Sequence, residues 1–218
     1  MAEPSRRALL VKEFANTLDV EAGTDRADSR EGLAGWLIEM GLAAAGSIDV
    51  CESELRDFLV LRAGVRELLD AAGDPDPTLV AASDEVTRRL PMFVSLSSML
   101  RPVVVEGEPA PEDAALDAVP AVDPATDLPR DFFFGVEAET LTADPTETAA
   151  RRAMSAIAGA VATIRITGEI GRLTRCAALS CAMVFFDASK NHSRRWCSMR
   201  VCGNRAKARA YAARRREA

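Results

Sequence analysis

Four of the five cysteines fall in one short stretch with two matched gaps, Cys176-x4-Cys181-x15-Cys197-x4-Cys202, and no other feature of the 218-residue chain restricts its folding as tightly. The opening stretch MAEPSRRALL lacks the long apolar region and small-residue cleavage site of a secretory leader, and no run approaches the ~18 apolar residues of a membrane span. A cytoplasmic location and no membrane association are therefore expected. In a reducing compartment, clustered cysteines read as metal ligands rather than disulfides. Zn2+ takes four tetrahedral ligands, so two close pairs of thiolates make a closed site with no position left for water. Closure points to a structural metal rather than a catalytic one. Buried free thiols and an iron–sulfur cluster are the alternatives.

The residues around the cysteines complete a small unit. Met183 to Phe186 reads as a strand, Asp187 to Ser193 as a polar turn, and Gly203 opens a run of alanine and arginine with high helix propensity. Trp196, next to Cys197, is expected to cover the metal site. So few apolar residues cannot build a core without metal. At about 100° per residue, Ala206, Ala210 and Ala213 form a small-residue stripe that would let the terminal helix pack on the hairpin.

Charge separates this unit from the rest. Residues 172–218 contain 12 Lys or Arg against Asp187 and Glu217, a net of +10, while the first 171 residues carry 15 bases and 31 acids, a net of −16. An acidic body with a basic head suggests a polyanionic partner. Arg194, Arg195, Arg200, Arg205, Lys207, Arg209 and Arg214 are the candidate nucleic-acid contacts, because guanidinium groups bind phosphate and guanine in bidentate fashion.

In the body, apolar residues recur at three and four rather than two, which predicts helices. One carries Leu33, Trp36, Leu37 and Met40 and stops near Gly41. A second runs from about Ser53 to Ala72, with Leu55, Phe58, Leu59, Val65, Leu68 and Leu69 inside and Arg56, Asp57, Arg62, Arg66 and Glu67 outside, up to the Gly73-Asp74-Pro75-Asp76-Pro77 stop. A third spans Thr78 to Leu90. Short strands are expected at Met92–Val94 and Pro102–Val105. Glu106 to Asp131 holds eight acids and five prolines and reads as a linker or long loop, with Phe132 to Phe134 as a core strand beyond it. Asp144-Pro145-Thr146-Glu147 carries a helix-start pattern, and the helix it opens would bury Met154, Ile157, Val161, Ile164 and Gly168 up to about Gly171. The expected fold is α+β: a mainly helical domain over 1–171 with a few short strands, and a zinc-bound hairpin-and-helix finger over 172–218.

Asn191-His192-Ser193-Arg194-Arg195-Trp196-Cys197-Ser198-Met199 and Cys202-Gly203-Asn204-Arg205-Ala206-Lys207 resemble the CGNR zinc finger. Glu13-Phe14-Ala15-Asn16-Thr17-Leu18-Asp19 and Trp36 to Leu42 resemble the two better-marked stretches of the ABATE domain, which precedes that finger in bacterial proteins regarded as stress-induced transcription regulators. The resemblance implies an N-terminal α/β domain of unusual architecture, a DNA-binding finger, and Cys176, Cys181, Cys197 and Cys202 as the zinc ligands. Glu13 stands where the family has aspartate, and the acidic insert is longer than the resemblance requires.

Other candidates are weaker. Asn16 and Asp19 are candidates for a small effector pocket, with capping of the helix end as the favoured reading. His192, the single histidine, lies in the finger turn, and Cys51 reads as a small buried apolar residue with no adjacent base. No phosphate loop or dinucleotide fingerprint is present, and nothing identifies an enzyme. The expected function is zinc-dependent DNA binding in transcription regulation, with a small-molecule effector and a homodimer as further candidate partners. The alternatives are an effector-binding or protein-interaction module whose finger is a structural clasp, and an RNA-binding protein.

Overall fold

A computed structural model describes residues 3–44, 46, 48–70, 75–94, 141–143, 146–178 and 180–217. The expected strand at Pro102–Val105, the acidic loop 106–131 and the Phe132–Phe134 triplet lie outside the described residues. Helix α1, Arg6–Ala15, starts at Ser5, whose hydroxyl accepts from the Ala8 amide at 3.1 Å. A small antiparallel ladder follows, β1 (Leu18–Asp19) against β2 (Thr24–Asp25). Then come α2 (Arg30–Glu39), capped by Ser29, and α3 (Glu52–Leu68), in agreement with the three- and four-residue spacing.

The first three helices meet through aromatic rings. Phe14, Trp36 and Phe58 are all almost fully buried, and Phe14 meets Phe58 edge-on with ring centroids 5.0 Å apart. Trp36 meets the same Phe58 ring at 5.6 Å, also edge-on, so Phe58 anchors the centre of the core.

Helix α3 differs from the expectation in its charged residues. Arg62 and Arg66 are buried, at 6% and 5% exposure, while Leu68 is 52% exposed. Relative to Phe58, Arg62 lies only about 40° round the helix and Arg66 about 80°, so both guanidinium groups reach acceptors in the interior; Leu68 lies about 80° round on the other side and is exposed as the last residue of the helix. Cys51 is exposed rather than buried, because it precedes α3 and gives its backbone N–H to Glu54 at 2.9 Å.

Helix α4, Pro77–Arg88, has Asp76 as its cap and proline in its first turn. It packs on α3 so closely that a Cβ at Gly64 would lie 2.2 Å from the Ser83 Cβ. Strand β3 (Met92–Val94) pairs antiparallel with β4 (Leu141–Ala143), Phe93 opposite Thr142. The next helix, α5 (Ala149–Ile166), starts later than the Asp144 pattern predicts. Thr148 is the cap, since its hydroxyl oxygen accepts from Arg151 N at 3.2 Å while its O–H donates to the buried Glu54 carboxylate, and Glu147 is taken by the Arg151 side chain. Met154, Ile157 and Ile164 are buried as expected, Val161 is half-buried and Gly168 is exposed beyond the helix end, and α5 lies along α1. Gly168, at a φ of +79°, ends this stretch, and the single 3-10 turn Glu169–Arg172 leads into the C-terminal unit. No helix among the described residues is long and apolar enough to cross a membrane.

Gly64→Ala should lower stability by about 1–3 kcal/mol despite alanine's better helix propensity, because α3 and α4 would have to separate. Thermal unfolding followed by circular dichroism checks this, and adding Ser83→Gly should recover part of the loss.

Candidate metal centre

Strand β5 (Leu173–Arg175) pairs antiparallel with β6 (Val184–Phe186) in the register Thr174 opposite Phe185. Side chains alternate along β6: Val184 and Phe186 face the body core, and Phe185 faces the cysteines. The ladder runs one step further, with Cys176 N donating to Met183 O at 2.8 Å. Between them the chain turns on Ala178, whose carbonyl accepts from Cys181 N at 2.8 Å and Ala182 N at 2.9 Å, with Ala182 in the left-handed region at a φ of 50°. The second pair is brought in by Ala177 N, which donates to Arg195 O at 2.9 Å.

A buried acid shapes the connecting turn. Asp187, 2% exposed, accepts from Ser189 N at 2.8 Å through one carboxylate oxygen and from Arg194 N at 2.9 Å through the other. Burial works against its charge, but these donors outweigh burial and lower its pKa. The sequence marked this residue only as part of a polar turn. After Cys197, Met199–Gly203 forms a π-type turn that carries Cys202 inward, and the terminal helix α6, Asn204–Glu217, follows.

All four sulfurs, of Cys176, Cys181, Cys197 and Cys202, lie within 4.8 Å of one another, with Cys181 to Cys197 at 3.6 Å and Cys197 to Cys202 at 3.7 Å. Tetrahedral thiolates at ~2.3 Å from a zinc ion would stand about 3.8 Å apart. The cluster thus has the size and donor chemistry of a closed metal site. The thiols also hinder one another's ionisation. Burial, with the Cys181 and Cys176 groups nearby, pushes Cys202 up to about 11, and burial with its three neighbours raises Cys197 as well. Cys176 moves the other way: burial opposes its ionisation, but the amides of Cys197 and Ala178 and the neighbouring thiols lower its pKa. A bound dication supplies the charge that four ionised sulfurs need.

Each residue of Cys202-Gly203-Asn204-Arg205 has a separate task. Cys202 is a sulfur donor, and Gly203 lets the turn close on Met199 and Trp196, since a Cβ there would meet the Met199 sulfur at 2.5 Å and Trp196 Cδ1 at 3.3 Å. Asn204 Nδ2 donates to Arg200 O at 3.0 Å, and Arg205 pairs with Glu21, in the turn between β1 and β2, at 2.6 Å. Trp196 packs against the cysteine cluster, as its position beside Cys197 suggested. Residues 172–215 match the sequence profile of the CGNR zinc finger family. No match to a curated protein was found.

The remaining candidates scatter over the surface of the finger. Arg194 lies over the Phe185 ring at 5.0 Å and donates to Cys197 O at 2.8 Å, and Arg195 lies over Trp196 at 5.5 Å. Arg200, Lys207, Arg209 and Arg214 are exposed. The alanine stripe does not seat α6 on the hairpin: Ala206 is half-buried, but Ala210 and Ala213 are exposed, and the helix runs clear of the protein from Lys207 onward. With six basic residues and Glu217 in 14 positions, it has no apolar face to bury. Asn16 caps α1 and hydrogen-bonds Val184, while Asp19 accepts from the Glu21 and Ala22 amides at 2.9 and 3.0 Å. His192 sits exposed in the turn at a φ of 48°.

Metal loading must release thiol protons, so metal retention should fall as pH is lowered. Native mass spectrometry should find one ion per chain near neutrality, less at acidic pH, and none retained after Cys202→Ser under the same chelator challenge.

Proposed function

We propose that the protein is a zinc-dependent DNA-binding regulator, in which the four cysteines hold Zn2+, the finger and α6 contact the duplex, and the ABATE-like body senses an effector or mediates assembly. Its setting is stress-induced transcription, as the paired resemblances imply. The observation that carries the reading is α6 itself, a helix ~21 Å long that leaves the body with Arg205, Lys207, Arg209, Arg214, Arg215 and Arg216 on it and is exposed beyond its first turn. An isolated helix of 14 residues is marginal in water, and six like charges weaken it further. Phosphates would supply both the missing partner and the missing countercharge. The four-sulfur site has no open position for substrate, which favours a structural metal.

A second reading, in which the finger is a clasp on its own body, draws support from one contact. Arg205 is held by Glu21, an acid of the body. The pair is about two-fifths exposed on each side, so phosphate can compete for Arg205 at little cost.

Fluorescence anisotropy of a random-sequence duplex separates the readings. Zinc-loaded protein should bind with a steep salt dependence, about 0.9 log unit of affinity per log unit of salt for each phosphate engaged, and chelation should abolish binding. Arg209→Ala should weaken binding and reduce that slope by about one. Glu21→Gln should tighten it modestly by freeing Arg205. Unchanged affinity in both Arg205→Ala and Arg209→Ala would remove α6 from the interface, and absence of binding by the loaded protein would leave the clasp.

A further inference from the structure

Finger and body meet at the C-terminal end of α1, where Asn16 and Ala15 join the two and Thr17 braces the neighbouring body residues. Asn16 pairs with Val184 as a strand residue would: its Nδ2 donates to Val184 O and its Oδ1 accepts from Val184 N, both at 2.8 Å. One position earlier, the Ala15 carbonyl accepts from Arg66 Nη1 at 2.5 Å, and Nη2 of the same guanidinium donates at 3.0 Å to the carbonyl of Ala182. Ala182 directly follows the sulfur donor Cys181 and holds the left-handed conformation that shapes its turn. One position later, Thr17 Oγ1 accepts from Arg62, which also grips Asp25 with both terminal nitrogens at 2.6 Å. Beside these, Leu173 and Val184 of the finger hairpin are buried in the same core as Phe14 and Phe58.

We propose that Asn16 and Arg66 are positioning residues that couple occupancy of the four-cysteine cluster to folding of the body, so that loaded finger and body unfold as one unit. The turn that ends at Ala182 bears there a non-glycine left-handed residue, a conformation that persists only when its surroundings hold it. Two things hold it: the gathered sulfurs on one side and the Arg66 guanidinium on the other. If the cluster opens, Arg66, which is 5% exposed in the intact structure, loses an acceptor, and the Leu173 and Val184 side of the body core loses its cover. Metal-binding free energy therefore reaches the body through those two side chains as well as through the shared hairpin face, and by reciprocity the seat strengthens metal binding. The inference concerns the metal alone and does not rest on nucleic-acid binding.

The test uses the full chain with Trp196→Phe, so that buried Trp36 becomes the single tryptophan and its fluorescence reports the body core. Chelation should lower the Trp36 unfolding midpoint by about 5 °C or more. Asn16→Ala and Arg66→Met should each cut that chelation shift at least by half and weaken zinc in competition with a chromophoric chelator by about tenfold. Gly64→Ala, which faces α4 on the side of α3 turned about 160° away from Arg66, should lower the midpoint while leaving the shift and the zinc affinity intact, which separates positioning from simple destabilisation. Hydrogen exchange of α2 in the unsubstituted chain, loaded against chelated, reads the same coupling without Trp196→Phe, and Asn16→Asp replaces any variant that fails to fold. A Trp36 midpoint and α2 exchange that ignore chelation would overturn the proposal. So would a full shift with unchanged zinc affinity in the seat variants.

Discussion

The finger cannot bury enough apolar surface to stand alone. Its own cluster consists of the cysteines Cys176, Cys181 and Cys202 with Ala178 and Phe185, bordered by Met183, Trp196 and Cys197. Three of its five buried residues are cysteines, and sulfurs gathered at 3.6–3.7 Å take the place of a packed apolar core. Stability must therefore come from the ion that the four sulfurs can surround and from the face that β5 and β6 share with the body. Both supports act on the same hairpin, one on each side, because a strand presents alternate residues to opposite faces.

This two-sided support makes the chain more continuous than its charge suggests. Arg175 closes the junction from the finger side: its amide donates to Leu69 O at 2.8 Å, and its guanidinium engages Glu67 at 3.2 Å and Asp70. At the other end of the unit, Glu169 accepts from the Ser5 amide at 2.8 Å and hydroxyl at 2.5 Å, linking the start of α1 to the turn that leads into β5. Helix α1 is thus held to the C-terminal segment at its two caps, Ser5 and Asn16. Its apolar face supplies Phe14 to the aromatic centre in between.

The sequence is informative where one physical rule acts locally. The four sulfur donors, the strand at Val184–Phe186 and the stop at Gly41 follow from spacing, alternation and backbone restriction, and so does most of the buried stripe of α5. It misleads where a polar side chain is recruited at long range. Arg62 and Arg66 look like solvent-facing charges until their angle from Phe58 is taken into account, and the groups they bind, Thr17 and Asp25 for Arg62 and the Ala15 and Ala182 carbonyls for Arg66, lie on distant segments. Asn16 reads as a helix cap and does act as one, but its partner in β6 is 168 residues away. Thr148 displaces Asp144 as a cap for a similar reason, since its hydroxyl also meets Glu54 across the body. The terminal helix illustrates the opposite error: an alanine stripe is permissive of close packing, but alanine offers too little surface to cause it.

The contacts that join finger to body differ in kind from those the finger offers outward, and salt acts on them differently. The Asn16 pair, the Arg66 bonds to Ala15 and Ala182, and the Arg175 bond to Leu69 use amides and carbonyls at least partly shielded from solvent, and the carboxylate pairs of Arg175 are about one-fifth exposed. Screening weakens exposed charges over a Debye length of ~8 Å at physiological ionic strength and reaches such contacts much less. The cations of α6 lie in the fully screened regime. Raising salt therefore weakens any polyanion's hold on α6 while leaving the finger seated. Chelation does the reverse, acting on the fold of the finger rather than on the charge it displays. On the proposed reading a single chain would separate the two controls: ionic strength would set how strongly the helix attracts a partner, and the metal would set whether there is an ordered base from which it can project.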